Sequence, residues 1–308
     1  MARKRRGRPL HGWVIIDKPL GMSSSAVVGK VKRLLDAEKA GHGGTLDPLA
    51  TGILPIALGE ATKTMNYVMD GHKAYRFTVR WGEATKTDDG EGEIIEISKC
   101  RPTDDEISAI LGDFTGPIEQ IPPAYSAIKV NGKRAYALAR ADEEVKLPER
   151  RVFIEDLKLV RRLDADHAEF EVVCGKGTYV RALGRDMARR LGTVGHIRTL
   201  RRTAVGPFSE SCAISLDYLE NLGHIAPDSE PILPIETVLD DIPALALSEE
   251  EARKLKHGQA ISILPVLSRT PKIDISQGDT VSAMSKGRLV ALAEIKGGEI
   301  RPFRVMNL

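Results

Sequence analysis

The stretch "GHGGTLDPLATGILPI" (41–56) sets its only carboxylate, Asp47, among four glycines and two prolines. Asp before Pro is a frequent turn initiator, and the flanking glycines favour a turn as well. The same rigid bend can hold one carboxylate at a fixed angle, as a nucleophile or general base requires. Gly41, Gly43 and Gly44 are weak candidates for cradling a phosphate. No Lys-Ser or Lys-Thr follows at P-loop spacing, and no dinucleotide fingerprint is present. A glycine loop can still let an RNA backbone approach closely. His42 has no partner ligands nearby, so packing or substrate contact suits it better than metal binding.

Three further positions carry chemistry. Tyr75 lies in "KAYRFTVRW", where Tyr75, Phe77, Val79 and Trp81 alternate with Arg76, Thr78 and Arg80. That is the pattern of a half-buried strand. Tyr75 is then either a core residue or a stacking platform for an unpaired base. Arg181 opens a helix, where the dipole mildly disfavours positive charge. An Arg there, paired with a buried Asp, would keep that carboxylate ionised. Lys18 and Pro19, in "DKPLGMSS", read by themselves as a turn before a helix.

The elements that must position these residues follow from pattern. Ser23 or Ser24 opens a helix with Val27, Val28, Val31, Leu34 and Leu35 in helical period. "GILPIAL" (52–58) is a buried strand. "GEATKTMNYVMDG" (59–71) is a short helix bounded by glycines. The polar run 82–93 is a loop before a strand at 94–97. Thr103 and Glu106 form a capping box, and Asn131-Gly132 signals a tight turn. A helix is expected over 134–144, and strands over 152–160 and 168–174. Thr178 caps a further helix that Gly192 closes. Residues 195–208 are extended. Four prolines in 223–243 suggest a linker. Beyond it, Ser248 and Glu251 form a second capping box ahead of a small, mostly β module.

The 308-residue length suits two domains, and 42% hydrophobic with 29% charged residues suits a globular chain. No apolar run reaches a membrane span, and the basic N-terminus lacks a secretory core. A cytoplasmic address is expected. Three separated cysteines argue against a disulfide framework and against structural zinc. The net charge of +2 hides an acid-free arm at Arg3–Arg8 and basic clusters at 150–151, 161–162, 181–190 and 198–202. Each alone is a solvated face; their repetition points to nucleic acid.

The segments "GWVIIDKPLGMSS", "GHGGTLDPLATGILPIALGEATK", "KAYRFTVRWG", "QIPPAYSAIKVNGKRAY", "GKGTYVRALGRDMARRLG" and "GHIRTLRRTAVGPF" occur in this order. Together they resemble the TruB family of pseudouridine synthases over about residues 12–239. The resemblance implies an α+β fold: a mixed-sheet catalytic domain (11–238) with a T-arm-binding insertion (116–151), and a small mostly-β PUA-type module (239–308). Residues 1–10 would be a basic flexible arm. It implies isomerisation of the T-loop uridine of tRNA, with no cofactor and no metal; a monomer is expected, though not on the strength of the resemblance. Asp47 matches the catalytic aspartate, Tyr75 the tyrosine that stacks on the base, and Arg181 the arginine that pairs with the aspartate. His42, Lys18, Pro19, Leu200, Gly43 and Tyr179 match positions that bind the substrate or support the loop. Many relatives carry Thr where this chain has Gly43. A non-catalytic RNA-binding protein on the same scaffold is the rival reading, which Asp47, Tyr75 and Arg181 together disfavour. A nucleotide-dependent transferase is disfavoured by the missing lysine.

Overall fold

The computed structural model describes residues 7–126, 128–130, 132–141, 147–222, 231–270 and 274–308. Strand β1 (Gly12–Lys18) leads into helix α1 (Ser24–Leu34), whose cap Ser23 accepts a hydrogen bond from the Ala26 amide at 3.2 Å. Strands β2 (Ala40–His42) and β3 (Ala50–Leu58) flank the Gly/Pro bend. The expected helix over 59–71 is broken in two, a 3-10 turn (Gly59–Lys63) and α2 (Met65–Asp70). Thr64 makes the break: its hydroxyl donates to the Ala61 carbonyl at 2.9 Å and tightens the turn.

Strand β4 (Lys73–Trp81) alternates as expected. The run expected to be a loop contains β5 (Glu83–Thr85), which pairs with β6 (Ile94–Ile97). Helix α3 (Asp104–Ile110) starts at the Thr103/Glu106 capping box. Strand β7 (Gly116–Gln120) opens the expected insertion, followed by β8 (Lys129–Val130), β9 (Lys133–Arg134) and α4 (Ala135–Arg140). Asn131 of the expected turn, and 142–144 of the expected helix, lie outside the described residues.

Strands β10 (Arg150–Arg162) and β11 (His167–Cys174), helix α5 (Val180–Arg190), strands β12 (Gly195–Val205) and β13 (Phe208–Ser209), and helix α6 (Leu216–Asn221) complete the larger part. Its nine-stranded sheet runs β1-β3-β12-β4-β11-β10-β7, with β2 on β3 and β13 on β12. β12 is parallel to β3 and antiparallel to β4, so the sheet is mixed. One face packs on α1 and α5 through Phe77, Val79, Phe170, Val27, Val31, Leu183 and Met187.

The smaller part holds β14 (Ala244–Ala246), α7 (Glu249–Lys256), β15 (Ile261–Ser262), α8 (Ile263–Leu267), β16 (Thr280–Ser285), β17 (Arg288–Lys296) and β18 (Glu299–Val305). Its five strands form a separate sheet with its own core, and Ser248/Glu251 cap α7 as expected. The mixed-sheet α+β architecture with a small β module therefore holds.

Two expectations change. The described part of the proline-rich linker, 231–243, is packed rather than free. Leu233 exchanges backbone hydrogen bonds with Trp13 at 2.7 and 2.8 Å. Ile235, Val238 and Leu239 share a core with Trp13, Phe208, Leu289, Leu292 and Met306, so the small sheet is stapled to the second face of the large one. The flexible arm expected over 1–10 does not extend to its end, and residues 1–6 of it lie outside the described residues. Arg8 is tied by its backbone to Asp36 and Glu38, and Leu10 packs on the core.

Candidate active site

The Gly/Pro bend between β2 and β3 is held from three sides. Below it, the buried Lys18 ammonium donates to the carbonyls of Pro19 (2.9 Å), Met22 (2.6 Å) and Pro48 (3.3 Å). Beside it, the Ser24 hydroxyl donates to the Leu46 carbonyl at 2.9 Å and accepts from the Leu46 amide at 2.8 Å. Across its base, Arg202 donates to Gly44 at 3.1 Å and to Ile53 at 2.7 Å. These last two contacts bracket the segment that carries Asp47, so one guanidinium ties both ends of the bend. Arg202 is 1% exposed. It reaches the bend because Gly52 lets β3 and β12 come close: a Cβ at Gly52 would lie 2.1 Å from the Arg202 carbonyl oxygen.

Asp47 opens onto a cleft of about 330 Å³, lined also by Lys73, Tyr75, Ser126, Tyr179, Arg181, Leu200 and Arg202. Arg181 Nη2 lies 2.9 Å from Asp47 Oδ2. The sequence suggested a buried Asp; instead the Asp47 side chain is 39% exposed and that of Arg181 6%. The buried partner is the arginine, which leaves the carboxylate facing the cleft. Arg181 is further fixed by Asp89 at 3.4 Å and by the carbonyls of Thr87 and Tyr125, both at 2.9 Å. Two carboxylates and two carbonyls offset the unfavourable position of a cation in the first turn of α5.

The N-terminus of α5 is capped in an unexpected way. Tyr179, not Thr178, is the cap residue, and no side chain of its own caps the helix. The buried Gln120 at the end of β7 does so instead. Its amide oxygen accepts from the Tyr179 amide at 2.8 Å, and its NH₂ donates to the Tyr179 carbonyl at 3.1 Å. Thr178 turns back to the Gly175 carbonyl at 3.1 Å.

Tyr75 sits on β4 directly across from Arg202 on β12 and Val172 on β11. Burial pushes its phenol above the usual tyrosine range, and the Arg202 guanidinium opposes that shift. Burial raises Tyr179 in the same way, and Arg150 lies 5.7 Å from its ring centre. Burial lowers Lys73, whose ammonium donates to the Met69 and Gly71 carbonyls, both at 2.5 Å.

The cleft thus brings together Asp47, Tyr75, Tyr179, Arg181 and Leu200 of the expected residues. Lys18 lies under the bend and holds it through the Pro48 carbonyl, and the exposed Pro19 lends its carbonyl to the same ammonium. His42 and Gly43 sit on and just after β2, outside the cleft lining. Burial, and next the Arg202 guanidinium, push the His42 imidazole below the usual histidine range, and its Nδ1 has no partner among the described residues. At Gly43 a Cβ would meet Val68 at 2.9 Å.

Asp89, Gln120, Ser126 and Lys73 carried no signal in the sequence, because their partners are remote. Arg202 was visible only as one member of a basic cluster expected to face a polyanion. Several of those clusters are neutralised at home. Arg201 grips Asp17 at 2.8 and 2.9 Å, Arg185 pairs with Asp88 at 2.9 Å, and Arg162 pairs with Asp104 at 2.6 Å. Among the described residues no helix is long and apolar enough to cross a membrane.

Residues 32–180 match the family described as TruB family pseudouridylate synthase (N terminal domain), and 181–240 the tRNA pseudouridylate synthase B C-terminal domain. The division between the two falls inside α5, while the large sheet runs across it. The chain is 56% identical to tRNA pseudouridine synthase B of Rhodospirillum rubrum over 308 residues, covering 100% of both chains. It is 55% identical to the same-named protein of Caulobacter vibrioides over 309 residues, again covering 100% of both. Among solved structures it is similar to a Cbf5-Nop10-Gar1 complex, with TM-score 0.70, 26% identity, and 96% of this chain and 84% of that chain covered.

Proposed function

The chain belongs to the TruB family and is a tRNA pseudouridine synthase, and on that footing we propose that Asp47 is its catalytic carboxylate, acting on the T-loop uridine (U55). The observation that carries this reading is the Asp47–Arg181 ion pair in a cleft that also holds Tyr75. The target base leaves its stack and enters the cleft over Tyr75. Extrusion costs a few kcal/mol at most for a loop base, offset by phosphate contacts elsewhere on the RNA.

Asp47 then acts at the ribose. It attacks C1′, or it takes a proton from the sugar to leave a glycal; either way the N1–C1′ bond breaks and its electron pair leaves with the uracil. The uracil turns and C5 bonds to C1′; on the first route the Asp47–C1′ bond breaks as this bond forms, and on the second Asp47 returns its proton to C2′. The C5 proton then departs and N1 gains a proton, so the product is an isomer of the substrate. Tyr75 is the candidate acceptor of the C5 proton, directly or through water. Arg181, fixed on four sides, holds the carboxylate in place while the bound base excludes water. Leu200 and Tyr179 line the base pocket. Lys18 and Pro19 support the bend, and His42 with Gly43 meets the opened T-loop. No step draws on a metal or organic cofactor.

In this reading 11–238 is the catalytic domain, 116–151 closes over the T-arm, and 239–308 is a PUA-like RNA-binding module. The protein acts as a cytoplasmic monomer, which light scattering of the purified chain would check. The deciding experiment incubates it with unmodified tRNA and maps pseudouridine by carbodiimide-stop primer extension. A stop at the T-loop uridine is expected with the native chain and none with Asp47→Asn, which still binds tRNA. Normal conversion by Asp47→Asn would overturn the assignment.

A further inference from the structure

One buried polar side chain of the cleft has neither a role in the reaction as described nor a hydrogen-bond partner among the described residues. Ser126 is 3% exposed and lines the cleft. Of the buried side-chain polar atoms without a hydrogen bond among the described residues, Ser126 Oγ alone belongs to the cleft lining. The Tyr179 phenol is close enough to feel this hydroxyl, but the pair does not meet hydrogen-bond geometry. The backbone around Ser126 is engaged. The Tyr125 carbonyl accepts from Arg181 at 2.9 Å, and the Ser126 carbonyl accepts from the Tyr136 amide at 3.0 Å. The chain is therefore fixed on both sides of a hydroxyl that is left idle.

A buried hydroxyl without a partner destabilises the fold, and native chains avoid it unless something supplies the partner later. Position says what that is. Arg181 binds the Tyr125 carbonyl and Asp47, each at 2.9 Å. Ser126 thus follows directly on the residue that touches the guanidinium holding Asp47, at the carboxylate end of the cleft. Asp47 must meet the sugar there. A ribose 2′-hydroxyl both donates and accepts, as serine does, so the pair can be satisfied in either direction.

We propose that Ser126 is a substrate-contact residue that hydrogen-bonds the 2′-hydroxyl of the target nucleotide, so that the cleft itself distinguishes ribose from deoxyribose. This rests on the reading of the cleft as the uridine site. It ties sugar recognition to the insertion, since Ser126 belongs to the segment expected to close over the RNA.

The test uses the full chain and two T-stem-loop RNAs, one with uridine and one with 2′-deoxyuridine at the target position. Affinity is measured in the Asp47→Asn background, where bound RNA is not converted. With Ser126 present, the deoxy RNA should bind about three- to tenfold more weakly. With Ser126→Ala the two RNAs should bind alike, and Ser126→Thr should restore the difference. Unliganded Ser126→Ala should melt no lower than its parent, because it loses an unpaired buried group. Full discrimination retained by Ser126→Ala, or a drop in its melting temperature without RNA, would overturn the proposal. Conversion of the uridine RNA by Asp47→Asn would instead overturn the reading of the cleft.

Discussion

Arg181 sits between two carboxylates, Asp47 at 2.9 Å and Asp89 at 3.4 Å. Only one of them faces the cleft: Asp89 is 3% exposed and anchors the guanidinium, while the Asp47 side chain stays open to the cleft. Asp47 was legible in the sequence only in company: its own stretch reads as a turn, and the order of the other segments, with Tyr75 and Arg181, singles it out. Asp89 was not, since the run "TDDGEGE" reads as a solvated loop, and its burial depends on a helix far along the chain. Two predictions belong at this scale. Tyr75→Phe should retain tRNA affinity through base stacking but lose turnover on the order of a hundredfold or more, the range of a lost proton acceptor, and Tyr75→Leu should lose the stacking as well as the turnover. Single-turnover rates check this, and equal rates for Leu and Tyr would remove Tyr75 from the mechanism. The second concerns Lys18. Burial holds its pKa at about 8 against an ordinary 10.5, while Asp47 pulls upward. Its folded pKa lies below the unfolded one, so the unfolded chain binds more protons between about 8 and 10.5. Stability from this group therefore rises through that window rather than falling. The neutral amine, however, has two N–H donors for three carbonyls. Turnover should decline on an alkaline limb near pH 8 with no matching fall in melting temperature, and Lys18→Met should lower the plateau and abolish the limb. A pH–rate profile of both proteins decides it; a limb that persists in Lys18→Met assigns it to another group.

At the scale of elements, local signals translated faithfully. The alternation of β4 and both capping boxes depend on neighbours within four residues, which a sequence displays directly. The N-cap of α5 did not translate, because Gln120 reaches it from another strand. The glycines near the bend were legible as a group but not individually. Gly52 has φ +98° with the Arg202 carbonyl in the way, whereas Gly44, at φ +117°, faces only the end of the Arg202 side chain at 3.4 Å. Gly52→Ala should therefore cost about 3 kcal/mol or more, and Gly44→Ala about 1 kcal/mol, by the usual scale of backbone strain. Thermal denaturation of the two variants checks the order. A smaller loss at position 52 than at 44 would show that β3 and β12 can separate without penalty.

For the whole molecule, composition misled in two places. Prolines in 231–243 suggested a tether, yet Ile235, Val238 and Leu239 are buried against the large sheet and the small one. Basic clusters suggested phosphate contacts, yet several are paired at home, a property that depends on which strands adjoin. Removing 244–308 should accordingly do more than delete a module. It would strip Leu289, Leu292 and Met306 from the core built on Trp13 and Phe208. The shortened chain should melt several degrees lower and bind an apolar dye, as calorimetry and dye fluorescence would show. An unchanged melting temperature would mean that the staple is energetically idle.

The position of β12 has a consequence for biosynthesis. It is the shared neighbour of β3 and β4, and it also supplies Leu200 and Arg202 to the cleft. Until residue 205 has left the ribosome, strands β1, β2 and β3 on one side and β4 on the other cannot join into one sheet, and Arg202 cannot tie the bend that carries Asp47. A nascent chain therefore exposes two unpaired strand edges for most of its synthesis, the stage at which chaperone protection matters most. It also reaches no RNA-competent cleft while still short. The chain acquires its nine-stranded sheet and the cleft onto which Asp47 opens in the same late step.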